Sequence, residues 1–364
     1  MASIDKNNYI SKPICINEIS LDRFGNILQH KSANKCYLFE KFINQDIFYI
    51  NLKSHKILYE GRTTEMELNL RRNILKNLLI PGYTLKKSLC GAEFYCSSGI
   101  LRKFALSHLQ HYFINVWCIK LDGVIVMVDS DTLEVKNSSE NDDITLSSND
   151  NKTILKQNEY DLKKLHYDKI LKYAAFFKKN YTDNKKVFID GIYAWKQYRR
   201  VYITELNCPT TLNERNSIKI AYNSIIHCVD EKTDKPVLIK TKPSYISEEN
   251  FIWRLNQVSK MYMETILLDS EKIVIGECDK NLVIHHTTIK TPKEIFEKID
   301  LNEKNLFLNL SFVLNKIKSA FEAKSSKPVK CVNVVKSNVR DRYHVSCYAD
   351  IPNNEACIKV FDNF

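Results

Sequence analysis

The stretch that most constrains the fold is Ile218 to Lys242, IKIAYNSIIHCVDEKTDKPVLIKTK. Two apolar runs rich in β-branched residues flank the polar segment DEKTDK, the pattern of two strands joined by a turn. After a short loop, Phe251 to Leu268 places Phe251, Leu255, Val258, Tyr262 and Ile266 on one side of a helix. The same two patterns recur along the chain without a fixed period, and there is no internal repeat. An irregular order of strands and helices predicts an α+β fold, with mixed β-sheets flanked by helices, rather than a regular parallel βα array.

The other elements follow from the same reasoning. Ile14 to Leu21 and Tyr37 to Leu52 alternate as short strands, and Glu65 to Leu79 has helical spacing closed by Pro81 and Gly82. Gly123 to Val128 is a clear strand. Tyr160 to Lys179 is amphipathic, with Leu162, Leu165, Ile170, Leu171, Ala174 and Phe177 along one side. Lys186–Asp190, Arg200–Leu206, Lys272–Gly276 and Leu282–Ile289 are strands, as are segments near Cys331–Val335 and Tyr343–Cys347; Asn305 to Phe321 is a further helix. Residues 137–152, NSSENDDITLSSNDNK, form the one low-complexity piece. It is an exposed polar loop within a single domain spanning 1–364, or alternatively a linker.

At 364 residues, with 44% hydrophobic content, the chain can bury a sizeable core. No run approaches the ~18 apolar residues of a membrane span, and MASIDKNNYISKP has no apolar signal core. The expectation is a nuclear or cytoplasmic protein with no membrane partner. The 11 cysteines form no CxxC pair and sit mostly in apolar segments, as reduced, buried thiols do. A net charge of +11 points to an anionic partner, most simply nucleic acid, or to solubility alone.

Few stretches carry chemistry by themselves. With 8 glycines the chain has no phosphate-cradling loop. His285 and His286 are adjacent on a strand and so point to opposite faces, as do His227 and Cys228. WKQYRRVY, Trp195 to Tyr202, interleaves cations with aromatics. Lys196, Arg199 and Arg200 there suit phosphates and Tyr198 or Tyr202 suits a base, or the segment is an ordinary strand with a cationic edge.

The order of segments resembles that of the decapping exoribonuclease (DXO) family. EISLDRFGN at Glu18–Asn26 is similar to its early strand and turn, and DIFYINLKSHKILYEG at Asp46–Gly61 to a segment that precedes a helix. Phe251–Thr291 resembles the helix–strand–strand run after its last acidic motif, and Asn305–Phe321 its closing helix. The resemblance implies a decapping-exoribonuclease-like fold. It also implies metal-dependent removal of incomplete or non-canonical caps from RNA 5′ ends.

The motif residues depart from that pattern. Where the family has Trp-Arg-Gly, this chain has Ser97, Ser98 and Gly99; where it has a metal-binding glutamate after the variable loop, this chain has Lys178. Its Glu-x-Asp aligns with Ile225, Ile226 and His227, followed by Cys228. Its Glu-Leu-Lys aligns with Leu238, Ile239 and Lys240, and a helix glutamine with Glu264. Hard divalent cations need several carboxylate oxygens on one wall, and isoleucine and leucine offer none.

The expectation is therefore a pseudoenzyme that binds an RNA 5′ end, protecting or regulating transcripts without cutting them. An insect germline member with degraded nuclease motifs is a precedent in kind. Lys178 and Lys240 would hold the RNA end, and Lys196, Arg199, Arg200 and Tyr198 its backbone, with no catalytic residue and no metal. Two alternatives stay open. One is an active Mg²⁺- or Mn²⁺-dependent hydrolase with ligands relocated to residues such as Asp230, Glu231 or Glu264. The other is a scaffold for a nuclear 5′→3′ exoribonuclease or a chromatin-linked protein. A nuclear location is favoured.

Overall fold

The computed structural model describes residues 9–22, 24–38, 50–51, 57–58, 64–110, 112–130, 192–193, 197–211, 214–245, 247, 257–281, 283–297, 301–323, 328–337, 339–352, 356–359 and 361. The expectations for the polar loop 137–152, the helix at 160–179 and the strand at 186–190 fall outside these residues, as do Lys178 and Lys196.

Eight strands form one mixed sheet. Their order is Ile14–Ser20, Tyr198–Thr211, Glu214–Ile226, Phe94–Ser97, Val124–Asp129, Ile114–Leu121, Cys331–Lys336 and His344–Tyr348. Local sequence explains its two internal hairpins. Leu121 pairs with Val124 across Asp122 and Gly123, both at positive φ (44° and 81°). An Asp-Gly pair is the favoured filling for such a two-residue turn, because its twist matches that of the flanking strands. Tyr198–Thr211 and Glu214–Ile226 pair antiparallel along almost their whole length.

A second sheet runs Cys228–Val229, Pro236–Pro243, Lys272–Cys278, Val283–Lys290 and Ile50–Asn51. Helices Ser98–Leu106, Ser259–Leu268 and Glu303–Glu322 pack together on one face of the large sheet. One apolar core runs from Phe94, Tyr202 and Tyr222 of the large sheet through Phe104 and Phe307 of the helices. It continues to Leu238 and Ile273 of the small sheet. Truncating a side chain such as Phe104 to alanine in a core of this kind costs about 3–5 kcal/mol. Helix Thr64–Leu78 buries Leu70, Ile74, Leu75 and Leu78 in a second core on the other side. The α+β class with mixed sheets and flanking helices is as the sequence predicts.

The opening strand pair is a correction. Glu214–Ile226 does not pair with Pro236–Pro243; it belongs to the large sheet. Only Cys228 and Val229 pair with Val237 and Pro236 around the polar turn. The chain leaves one sheet at Ile226 and enters the other at Cys228, so these two strands line the place where the sheets part. The helix expected from Phe251 is described as Ser259–Leu268. Helix Ser98–Leu106 and strand Ile114–Leu121 lie where the sequence patterns predict neither.

Candidate functional site

At that parting of the sheets, helix Ser98–Leu106 lies beside helix Ser259–Leu268, which rests on strand Pro236–Pro243. Residues four apart on a helix share a face, so Lys260 and Glu264 project together. Arg102 Nη1 donates to one Glu264 carboxylate oxygen and Lys240 Nζ to the other. Burial alone pushes the Glu264 carboxyl up, but Lys240 and then Arg102 outweigh it and hold it below its ordinary value. The three side chains are 19–30% exposed.

A third cation, Lys260, joins the cluster. Lys260 Nζ lies 5.5 Å from the Tyr112 ring centre, and among the described residues no carboxylate pairs with it. Burial lowers the Lys260 pKa, and the charges of Arg102 and Lys240 add to this against the opposing pull of Glu264. Two further donors are unspent: Arg102 Nε and the Tyr112 hydroxyl are buried with no hydrogen-bond partner among the described residues. Burial pushes the Tyr112 phenol up to about 12, so it stays a proton donor. Three cations share one carboxylate here, with unused N–H and O–H groups among them. Such an arrangement attracts an anion.

The residues singled out from sequence are distributed unevenly around this cluster. Lys240 and Glu264 are at its centre. Leu238 is buried two residues before Lys240, on the same side of the strand, and belongs to the apolar core. Ser98 stands one helical turn before Arg102, with its Oγ 2.8 Å from that of Ser224. Ile225 is elsewhere. The register pairs it with Arg199 and pairs Ser224 with Arg200, and adjacent strand residues face opposite ways. Ser224 and Ile226, rather than Ile225, therefore share the face that carries Ser98. His227 is half-buried in the link between the two sheets.

The WKQYRRVY segment is also redistributed. Tyr198 is 2% exposed and Arg200 5%, and Nε, Nη1 and Nη2 of Arg200 are all bonded to groups of the protein itself, so no donor stands open where the sequence reading places contacts to RNA. Arg200 donates to the Tyr198 hydroxyl at 3.0 Å, to the Asp234 backbone oxygen at 2.7 Å and to its carboxylate at 2.6 Å, and lies 3.2 Å from Glu18. Arg199 faces the other way and bonds Asn223 at 2.7 Å and Gln197 at 2.8 Å. Sequence reasoning missed Arg102, Lys260 and Tyr112. The available signal was the four-residue spacing from Lys260 to Glu264, which also describes any solvated helix face.

The donor set does not suit a hard divalent cation. Among the described residues no three of His, Cys, Asp or Glu come together, and the one carboxylate of the cluster is already ion-paired on both oxygens. Asp230 accepts from Lys272 at 2.5 Å and from the backbone N–H groups of Lys232 and Thr233 at 3.0 and 2.9 Å. It is spent on holding its turn.

Two sheets parting over a helix pair, with a lysine and a helix acid meeting at the seam, give this chain the fold of the decapping exoribonucleases. Rai1 of S. pombe superposes with a TM-score of 0.61 at 14% identity, over 93% of this chain and 94% of that one. Rai1 of Candida albicans, solved with pU5 and Mn²⁺, gives 0.63 at 15% identity, over 97% and 92%. Dxo1 of K. lactis, solved with manganese, gives 0.60 at 11% identity, over 93% and 91%. No protein-family model and no curated protein matches the sequence.

Proposed function

We propose that this chain is a pseudoenzyme of the decapping exoribonuclease fold, which holds the 5′-terminal phosphate of an RNA without cutting it. The observation that carries the reading is the imbalance at Glu264: Arg102, Lys240 and Lys260 converge on one carboxylate, leaving two positive charges uncompensated among the described residues. In the C. albicans Rai1 structure the fold holds pU5 together with Mn²⁺. Here fixed cations take the part that metal ions play in neutralising phosphate. Lysine and arginine satisfy a phosphate by charge-assisted hydrogen bonds, yet supply no activated water. With Leu238 apolar, Ser224 and Ile226 on the strand and Glu264 ion-paired on both oxygens, the described wall has no unpaired carboxylate to activate a nucleophile.

Fluorescence anisotropy with RNAs bearing a 5′ triphosphate, monophosphate or hydroxyl, at several salt concentrations, tests this. The expected result is tighter binding of the phosphorylated ends, with affinity falling as salt rises, and intact RNA after incubation with Mg²⁺ or Mn²⁺. Indifference to the 5′ phosphate would sink the reading. So would metal-dependent cap release that is lost in Glu264→Gln.

A further inference from the structure

A second cationic site lies at the far end of the helix that carries Arg102. Lys336 ends strand Cys331–Lys336, and His344 opens the next strand, paired with Val335. The connection between them, KSNVRDRYH, has Lys336, Arg340 and Arg342 against the single carboxylate Asp341. Lys336 is 4% exposed, and among the described residues no carboxylate lies within ion-pair distance. Its Nζ sits 5.0 Å from the centre of the Tyr343 ring. Lys316 Nζ donates to the Tyr343 backbone oxygen at 2.9 Å, so a second ammonium reaches the same residue. His108, just past the helix end, is held below its usual range by burial, and the Lys336 charge lowers it further.

The energetics leave Lys336 short of a partner. Burying an ammonium costs several kcal/mol after relaxation, whereas a cation over an aromatic ring recovers about 0.5–2 kcal/mol. Burial accordingly lowers the Lys336 pKa, and Asp341 offsets this only in part. An anion would close the gap. Arg340 and Arg342 are exposed and have no ion pair among the described residues, so they can close over it.

We propose that Lys336, Lys316, Arg340 and Arg342 form a second phosphate site that takes a backbone phosphodiester of the RNA whose 5′ end is held at Arg102, Lys240 and Lys260. This rests on the function proposed above. Arg102 and His108 are six residues apart, and the four steps from Arg102 to the helix end at Leu106 rise about 6 Å at 1.5 Å per residue, so one short single strand reaches both places. Exposed Phe113 precedes strand Ile114–Leu121, whose Ile114 pairs with Lys336. Exposed Phe312 lies 5.9 Å from Lys316 Nζ. Cations interleaved with open ring faces are what a sequence-tolerant single-strand groove uses.

The test uses the full chain and two 5′-phosphorylated oligouridylates, one of two nucleotides and one of about ten. The double variant Arg340→Ser/Arg342→Ser, on the exposed turn, is expected to weaken the longer RNA about tenfold. It should also reduce the salt slope by about 1 for each phosphate left unneutralised, and leave the dinucleotide unchanged. Lys336→Met should behave likewise, with its melting temperature recorded to show that it folds. Unchanged binding of the longer RNA by the arginine variant overturns the second site and leaves the first standing. Loss of affinity in that variant, with no dependence on the 5′ phosphate in wild type, overturns the 5′-end reading and leaves this one. Equal weakening of both lengths also counts against a separate downstream site.

Discussion

Two charged clusters lie within this fold, and they differ in balance. Around Arg200, two cations (Arg200 and Lys35) meet two carboxylates (Glu18 and Asp234), with Lys35 2.5 Å from Asp234. Around Glu264, three cations meet one carboxylate. The first cluster ties the strand Tyr198–Thr211 to the N-terminal strand and to the turn at Asp234, and its donors are used up. The second has donors left over. Charge density in the sequence does not separate the two cases, because WKQYRRVY is the more basic stretch and holds the balanced cluster. What separates a structural ion network from a binding site is whether the charges cancel before a ligand arrives.

The largest effect that sharpens the contrast is on stability. Arg200→Met removes a buried cation that bonds Tyr198 and Asp234 and pairs with Glu18, leaving the Glu18 carboxylate with the Tyr198 hydroxyl and the more distant Lys35 as its remaining partners. Breaking buried pairs of this sort costs about 3–5 kcal/mol. Asp234 is half exposed and water will recover part of that, so the expected loss in denaturant unfolding is about 3 kcal/mol, the low end of that range. RNA affinity of the folded protein should not change. A stable variant that binds RNA poorly would show that the two clusters are not distinct.

Asp230, in the same turn, should give the next largest effect. Burial alone would raise its pKa, but the Lys272 bond and the Thr233 N–H bring it down to about 2. A carboxyl whose folded value lies below its unfolded value contributes stability that is present above about pH 4 and is lost as pH falls toward 2. At roughly 1.4 kcal/mol per pKa unit this is about 2 kcal/mol at neutral pH. Asp230→Asn should lose that increment near pH 7 and converge with wild type near pH 2, read from urea midpoints across the range. Equal midpoints at pH 7 would show that the Lys272 bond and the turn N–H groups do not stabilise the fold through Asp230.

Much of the architecture was legible because it rests on local patterning. The Thr64–Leu78 and Glu303–Glu322 helices, and the strands Lys272–Cys278 and Val283–Lys290, lie within a few residues of where periodicity places them. The helix Ser98–Leu106 was not legible. SGILRKFAL begins directly after a strand, with a glycine in its first turn, and those cues speak against a helix. Missing that helix hid Arg102. The partnership of the strands was hidden for another reason. Two apolar runs around a polar turn read as a hairpin whether or not they share a sheet, and only tertiary packing sends Ile226 and Cys228 into different ones. That also fixes the facing of Ser224 against Ile225, which no single sequence resolves by one residue.

A smaller effect, opposite in sign, is expected from the unbalanced cluster. Lys260→Ala removes a cation that no carboxylate among the described residues pairs with, so unfolding stability should stay level or rise slightly. RNA affinity should fall about tenfold irrespective of sequence, and the salt slope should shrink by about 1. A marked loss of stability would mean that Lys260 is structural after all, and the comparison with Arg200 would collapse.

The smallest effect is a proton. In the free protein, burial and the Arg102 and Lys240 charges lower the Lys260 pKa, while Glu264 opposes them. A group protonated more readily when unfolded adds stability as pH rises. The gain therefore accrues between the lowered folded value and the ordinary lysine value near 10.5, and is complete above it. A phosphate placed beside Lys260 reverses the local field and raises that pKa. Binding in this pH window must then take up a fraction of a proton. Calorimetric titration of wild type with a 5′-phosphorylated oligonucleotide, in two buffers of different ionisation enthalpy, should show net uptake that disappears in Lys260→Ala. The Tyr112 phenol, pushed up to about 12, keeps its proton through most of this window and contributes little. Uptake of equal size in the variant would place the anion against some other group and move the RNA end away from Glu264.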